Sequence, residues 1–330
     1  MKRTSAEHNE RGGTIIKKTP VIAVVGPTAS GKSMVGIEIC KHFNGEVISA
    51  DSMQVYKKIN IATAKLSTEE MQGIPHHMIN LIEPDEAFNV FQYCTLAHAC
   101  IKDIANRGKL PVIVGGTGMY INSLLNSTHF PESTIDENVR KTLKMKSQQQ
   151  GGKILLEELR IIDPQTAAKL HQNDLGRIIR ALELYYTTGI PASEHNRFST
   201  RDEPIYSPVY IGLSFLNRQA LYQSIDSRTD KMIEKGLLDE AKMLFNLYKT
   251  GTALQAIGIK EFFGYFEGKE ELSVCVEKIK QETRRYAKRQ LTWFRRNGEI
   301  RWIYIDELND QSAVIKTVFD LIENSGMLRG

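Results

Sequence analysis

Gly26-Pro27-Thr28-Ala29-Ser30-Gly31-Lys32-Ser33 stands directly after the apolar run Val21–Val25 and before a helical pattern from Met34 to Phe43. A Gly-x-x-x-x-Gly-Lys-Ser spacing between strand and helix forms a cradle for phosphate. The glycines let the backbone turn tightly and aim its N–H groups inward. The helix start adds a partial positive charge. Lys32 supplies a mobile cation, and the Ser33 hydroxyl can sit on Mg²⁺. These residue types call for a diphosphate or triphosphate ligand.

Asp51 closes the run Glu46-Val-Ile-Ser-Ala-Asp51-Ser52, just past the carboxyl end of the next strand. Ligands of open parallel sheets bind beyond those ends, so Asp51 is expected in the same crevice as Lys32. It can ligate Mg²⁺, take a proton from a nucleophile, or only shape a turn. A third segment, Val112-Ile-Val-Gly115-Gly116-Thr117-Gly118, ends a strand in glycines. A nucleotide hydrolase would place a metal-binding Asp there, so its absence argues against simple hydrolysis. The glycines suggest close backbone approach to a ligand, with the Thr117 hydroxyl pointing at it. Thr117 as a plain helix cap is the alternative.

Six basic residues, Arg284, Arg285, Lys288, Arg289, Arg295 and Arg296, fall within thirteen positions. On a helix, Arg285, Lys288, Arg289, Thr292, Arg295 and Arg296 share one face. Val276, Ile279, Thr283, Ala287, Leu291 and Phe294 share another. Such a helix suits a nucleic-acid backbone, or is simply solvated. Asn173-Asp174-Leu-Gly-Arg177 opens another amphipathic helix, with Asp174 as its cap and Arg177 and Arg180 along it.

The elements that must position these residues alternate. Strand runs at Val21–Val25, Glu46–Ala50 and Pro111–Val114, with a further one at His77–Leu81, interleave with helical patterns at Ser33–Phe43, Asn89–Asn106 and Met119–Leu125. That alternation predicts βαβ units and a parallel sheet. From Pro131 to Glu194 the pattern is helical throughout, with Gln148–Gly152 as a loop, so a helical insertion into an α/β core is expected. A strand returns at Ser207–Ser214. Helices follow at Asn217–Lys235, Leu237–Tyr248, Ile257–Glu267 and Leu272–Arg295, then a strand at Glu299–Ile305 and a helix at Gln311–Asn324. The expected domains are a disordered basic tail (1–18), an α/β core (19–130 and 200–330) and the helical insertion (131–199).

The 330 residues are 41% hydrophobic and 25% charged, a composition that supports a large core. No apolar run nears the ~20 residues of a membrane span, and the first residues lack a signal peptide's apolar stretch. Cys40, Cys94, Cys100 and Cys275 show no metal-ligand spacing and read as reduced, buried thiols of a cytoplasmic protein. The net charge of +4 is too small to prove a nucleic-acid partner.

Taken in order, GPTASGKS, ISADSMQVYKKINIATAK, IPHHMINLIEPDE, VIVGGTGMYI, NDLGRIIRALE, AIGIKEF and RRYAKRQLTWFRR resemble the tRNA dimethylallyltransferases from about residue 20 to about 305. The resemblance implies a P-loop NTPase-like parallel sheet flanked by helices, with an all-helical insertion that clasps tRNA. It implies transfer of the dimethylallyl group of dimethylallyl diphosphate to N6 of the adenosine immediately 3′ of the anticodon. Gly26, Thr28, Ala29, Ser30, Gly31, Lys32 and Ser33 would then hold a diphosphate rather than ATP, with Mg²⁺ on Ser33 and Arg228 reaching the diphosphate. Asp51 would be the general base and Thr117 its partner. Ser52, Met53, Gln54, Asn173, Asp174, Arg177, Arg180, Arg284, Arg285, Lys288, Arg289 and Gln290, together with Asp51 and Thr117, would meet the tRNA. The adenosine would flip into a channel opposite the donor. A monomer without membrane or obligate protein partner is the family norm. Ala62 and Ile259 replace a common glycine and a common aromatic; neither touches the proposed chemistry. No Cys or His follows Cys275 to form the zinc finger of eukaryotic relatives, which points to the bacterial type.

Three rival readings share parts of this pattern: a transferase that prenylates free adenine nucleotides, a P-loop kinase of small molecules, and a non-catalytic RNA-binding nucleotide switch. The insertion and the basic helix favour tRNA over a free nucleotide. The Gly-Gly-Thr strand end argues against the kinase, and Asp51 beside an intact loop against lost catalysis.

Overall fold

The computed structural model describes residues 18–126, 136–198 and 204–327. They divide into two compact units, one before residue 126 and after 203, the other between.

The first unit is a six-stranded parallel sheet. Its amino-terminal elements are β1 (Thr19–Val25), α1 (Lys32–His42), β2 (Gly45–Ser49), β3 (His76–His77), α2 (Val90–Asn106), β4 (Leu110–Gly115) and α3 (Gly118–Leu125). The second unit holds α4 (Glu137–Gln150), α5 (Gly152–Ile162), α6 (Pro164–Ala167), α7 (Leu175–Thr188) and α8 (Ala192–Phe198). The chain returns to the first unit as β5 (Tyr206–Ser214), α9 (Arg218–Glu234), α10 (Leu237–Leu247), α11 (Phe263–Phe266), α12 (Leu272–Phe294), β6 (Arg301–Tyr304) and α13 (Gln311–Glu323).

The strand order is β3-β2-β4-β1-β5-β6. β1 and β4 lie inside the sheet with both faces covered, which is why they read as unbroken apolar runs. Ile22, Val24, Val112, Val114, Ile211 and Leu213 pack with Val35 and Ile39 of α1 and Val314, Val318 and Ile322 of α13. α2 and α3 pack against each other through the stacked rings of Tyr93 and Tyr120, 4.1 Å apart, and the Tyr93 hydroxyl donates to the Ser49 carbonyl of β2 (3.1 Å). β4 separates β2 from β1, so the chain reverses direction across the sheet there. The loops that leave β1, β2 and β4 at their carboxyl ends are therefore neighbours.

Several elements differ from their sequence reading. β3 is His76–His77 rather than His77–Leu81, because Met78 (φ 64°) and Asn80 (φ 53°) take left-handed backbone that a strand cannot hold. The helix expected over Ile257–Glu267 is broken at Gly258 (φ 94°) into a 3₁₀ turn, Lys260–Phe262, and the short α11. The Gln148–Gly152 loop shrinks to one joint, Gly151, between α4 and α5. The insertion carries no strand among its described residues, and its own core is Leu143, Leu155, Leu156, Leu159, Ile178 and Leu182. The expected tail falls outside the described residues except for Lys18. Cys40, Cys94 and Cys275 are buried free thiols, whereas Cys100 is only partly buried. Among the described residues no helix is long and apolar enough to cross a membrane.

Candidate active site

The loop after β1 is shaped by backbone that only special residues accept. Gly26 has φ 143°, and a Cβ there would lie 2.2 Å from the Leu213 carbonyl oxygen. Ala29 (φ 63°) and Gly31 (φ 79°) are both left-handed, and Gly31 begins α1 without a side-chain cap. The first amides of α1 therefore lack intrahelical acceptors and face the cradle with the positive end of the helix. Side chains fix the loop. Ser30 Oγ donates to the Pro27 carbonyl (2.8 Å), Ser224 Oγ of α9 to the Ala29 carbonyl (3.0 Å), and Thr28 N–H to Gln290 Oε1 of α12 (2.8 Å).

Lys32 Nζ donates to the Pro27 carbonyl (2.5 Å). Burial first, then the neighbouring Arg228 guanidinium, pull the Lys32 amine down to about 7, and Asp51 opposes them. Burial also pulls Arg228 down, again against Asp51. Arg228 lies one turn beyond Ser224 on α9 and makes no ion pair among the described residues. Two desolvated cations beside one carboxylate leave an excess of positive charge, the electrostatic form of an anion site.

Asp51 lies directly after β2, and its Oδ1 accepts Met53 N–H (2.8 Å). Its other oxygen has no protein hydrogen bond among the described residues. Ser33 likewise makes no side-chain hydrogen bond there. Two hard oxygen groups on one cavity suit Mg²⁺, and no group of three or more His, Cys, Asp or Glu forms a cage among the described residues. Mg²⁺ bound chiefly through phosphate oxygens is the mode such a donor set allows.

Two cavities meet at these residues. One, of about 90 Å³, is lined by Thr28, Lys32, Ser33, Gln54, Lys65 and Gly116 among others. The other, of about 270 Å³, is lined by Ser52, Met53, Met232, Ile257 and Arg289 among others. Thr28, Asp51, Thr63, Arg228 and Tyr286 belong to both. A smaller lobe beside the loop after β1 and a larger, more apolar lobe thus share Asp51 and Arg228 at their junction.

Thr117 lines neither cavity. Its Oγ1 accepts Ser52 N–H (3.0 Å), so it helps hold the loop behind Asp51. The close approach signalled by the glycines is also to protein. A Cβ on Gly115 would lie 2.2 Å from the Ala50 carbonyl oxygen, on Gly116 2.0 Å from Gln290 Nε2, and on Gly118 2.1 Å from the Trp293 ring.

Along α12 and the two residues that follow it, Arg285, Lys288, Arg289, Thr292, Arg295 and Arg296 are all exposed, and Ile279, Ala287 and Phe294 are buried opposite. Two expected tRNA contacts stand apart from that face. Arg284 turns to α9, where it pairs with Asp226 (2.6 Å). Gln290 is only 5% exposed and bonds to protein at both ends of its amide. Gln54 lines the phosphate-side lobe, bonded to Ser49 (2.8 Å) and the Thr63 carbonyl (3.1 Å), whereas Ser52 and Met53 line the other.

In the insertion, Asn173, Arg177 and Arg180 are exposed. Asp174 holds the cap position of α7, but its carboxylate accepts from His171 N–H (3.0 Å) rather than from the helix. Arg180 pairs with the buried Glu183 (3.1 Å), which also binds Arg140 (3.0 Å).

Sequence reasoning missed Tyr286 and Lys65, both of which line the site. Burial pulls Lys65 down to about 8. Its Nζ donates to Asn80 Oδ1 (2.7 Å) across a turn no spacing reveals. Tyr286 sits inside the basic run, where its helical phase toward Asp51 was the available signal.

Fold and site together define a P-loop α/β protein whose phosphate cradle faces an acid across a divided cavity. The chain matches the family described as IPP transferase over residues 54–297, and the one described as isopentenyl transferase over 19–83. It is 47% identical over 305 residues to the tRNA dimethylallyltransferase of Caldanaerobacter subterraneus, covering 92% of this chain and 97% of that protein. The tRNA dimethylallyltransferase of Bacillus subtilis is 43% identical over 303 residues, covering 92% and 96%. Among solved structures, the tRNA isopentenylpyrophosphate transferase of Bacillus halodurans aligns with TM-score 0.70 at 40% identity, over 94% of this chain and 97% of that one. A eukaryotic dimethylallyltransferase acting on tRNA aligns with TM-score 0.78 at 33% identity, over 93% and 80%. This chain belongs to the IPP transferase family.

Proposed function

We propose that the protein transfers the dimethylallyl group of dimethylallyl diphosphate to N6 of the adenosine immediately 3′ of the anticodon in tRNA. The observation that carries this reading is the junction of the two lobes at Asp51 and Arg228. The diphosphate occupies the cradle lobe, on the loop amides, Lys32 and Arg228. The adenine enters the larger lobe, flipped from its stack.

An exocyclic adenine amine is a weak nucleophile, because its lone pair is delocalised into the ring. As N6 bonds to C1 of the dimethylallyl group, the C1–O bond breaks and its electron pair leaves with the diphosphate. Asp51 takes the proton that N6 loses. Lys32 and Arg228 stabilise the charge that grows on the departing oxygens. Thr117 acts behind Asp51 as a positioning residue. Ser33 would hold Mg²⁺ together with diphosphate oxygens; that ion supplies further neutralisation of the leaving group when bound. The exposed basic face of α12 serves the tRNA backbone, as do Asn173, Arg177 and Arg180 in the insertion.

A transfer assay tests this with purified protein, Mg²⁺, labelled dimethylallyl diphosphate, and unmodified tRNA or AMP, followed by digestion to nucleosides and mass analysis. Label on the adenosine beside the anticodon is expected. Label on AMP alone, or on neither, would sink the reading.

A further inference from the structure

Gln290 sits in the middle of the basic stretch of α12 but points the other way. Its Oε1 accepts Thr28 N–H (2.8 Å), and its Nε2 donates to the Gly116 carbonyl (3.0 Å). Thr28 belongs to the loop after β1. Gly116 belongs to the loop after β4 and directly precedes Thr117, which holds Ser52 beside Asp51. One side-chain amide therefore ties the phosphate cradle to the loop after β4, which in turn holds the loop of the acid through Thr117.

The site is built around that amide. A Cβ on Gly116 would meet Gln290 Nε2 at 2.0 Å, while the nearest atom outside Gln290 is the Gly26 carbonyl oxygen at 3.6 Å. Gly116 is thus open on that side except for Gln290. The carboxamide offers its acceptor and its donor on two separate atoms of one planar group, which lets it span two loops. A carboxylate would set an acceptor against the Gly116 carbonyl, and a cation would leave Thr28 N–H without a partner.

We infer that Gln290 is a positioning residue for donor binding and not a contact to RNA: it sets the spacing between the diphosphate loop and the loops bearing Thr117 and Asp51. The inference rests on the reading of the loop as a diphosphate cradle. It also assigns the Thr28 amide to Gln290, so the diphosphate is held by the other loop amides and those that open α1.

The test measures three quantities in parallel: binding of inorganic pyrophosphate with Mg²⁺ by calorimetry, binding of tRNA by filter retention, and kcat and KM for transfer. Gln290→Met is expected to weaken pyrophosphate binding and raise the donor KM about tenfold, with tRNA affinity within about twofold. Gln290→Glu keeps the acceptor for Thr28 but sets a carboxylate against the Gly116 carbonyl on the phosphate-side cavity, so it should weaken pyrophosphate binding at least as much as Gln290→Met. Gly116→Ala should weaken pyrophosphate binding by itself, yet add little in a Gln290→Ala background, where the methyl group fills vacated space. That non-additivity decides the matter even if Gln290→Met fails to fold. Unchanged pyrophosphate binding with lost tRNA affinity would overturn the inference, as would additive losses in the double variant. Wild-type protein that binds pyrophosphate but transfers nothing would overturn the transferase reading alone, because the pyrophosphate measurements still decide the role of Gln290.

Discussion

Lys32 and Arg228 repel each other in a desolvated site, and Asp51 only partly offsets them. With the Lys32 amine near 7 in the fold and 10.5 without it, both states carry its charge at pH 6, and the folded state bears the whole burial penalty. Between about 7 and 10.5 the unfolded chain holds the extra proton, so this residue's penalty fades as pH rises. Lys32→Met should therefore raise the thermal midpoint of ligand-free protein at pH 6, and the gap should close by about pH 10 in dye-monitored melting. The same variant should lose pyrophosphate binding. For the wild type at pH 8, pyrophosphate should restore the ammonium form, so calorimetry in buffers of different ionisation enthalpy should register proton uptake. Asp51→Asn should cut kcat about 10²- to 10⁴-fold and leave pyrophosphate affinity within a few-fold. An equal loss of both would reduce Asp51 to a structural part.

The elements that frame the site are tied by groups far apart in sequence. α9 grips the cradle through Ser224 and contributes Arg228; α12 grips it through Gln290; Arg284–Asp226 and Lys280–Asp230 join the two helices (2.6 and 2.7 Å). The loop after Asp51 is held from α10. Glu240 accepts three successive N–H groups, those of Asn60 (2.7 Å), Ile61 (2.8 Å) and Ala62 (2.9 Å). An alanine at 62 is therefore accommodated without positive φ, and the bonds to its neighbours set the loop. Glu240→Ala should destabilise the first unit by about 2 kcal/mol in urea titration, because three amides lose a charged acceptor but water can replace part of it. A change below about 0.5 kcal/mol would mean that the loop holds itself.

At the scale of the whole molecule, the charge that matters is a face and not a sum. A net +4 is modest, yet five Lys and Arg side chains line the exposed side of α12 and the two residues that follow it. Arg285→Glu with Lys288→Glu should weaken tRNA binding and flatten its salt dependence by about one unit of slope for each phosphate no longer neutralised. Pyrophosphate affinity should stay unchanged. Filter binding from low to moderate salt checks this, and an unaltered slope would leave the face merely solvated.

The phosphate loop, the strand–helix alternation around it and the helical insertion were legible in the sequence, because each is written in local residue types: glycine spacing, apolar runs and helical phase. Asp51 was legible as well, since the carboxyl end of a parallel strand faces the ligand crevice wherever it occurs. Side-chain partners across the fold were not. Gln290 reads as one more polar residue in a basic run until α12 packs against loops 174 and 262 residues away. Thr117 reads as a ligand contact or a helix cap, and nothing local to it announces its bond to Ser52, 65 residues away. The glycines at 115, 116 and 118 read as room for substrate alone, yet the space a side chain would take there is occupied by Ala50, Gln290 and Trp293, while Gly115 and Gly116 still line the phosphate-side cavity. Local sequence determined which residues can do chemistry and on which element each stands. Tertiary packing decided which polar groups keep a donor or acceptor for a ligand, because the bonds that use up Gln290 and engage Thr117 come from parts of the chain far away in sequence.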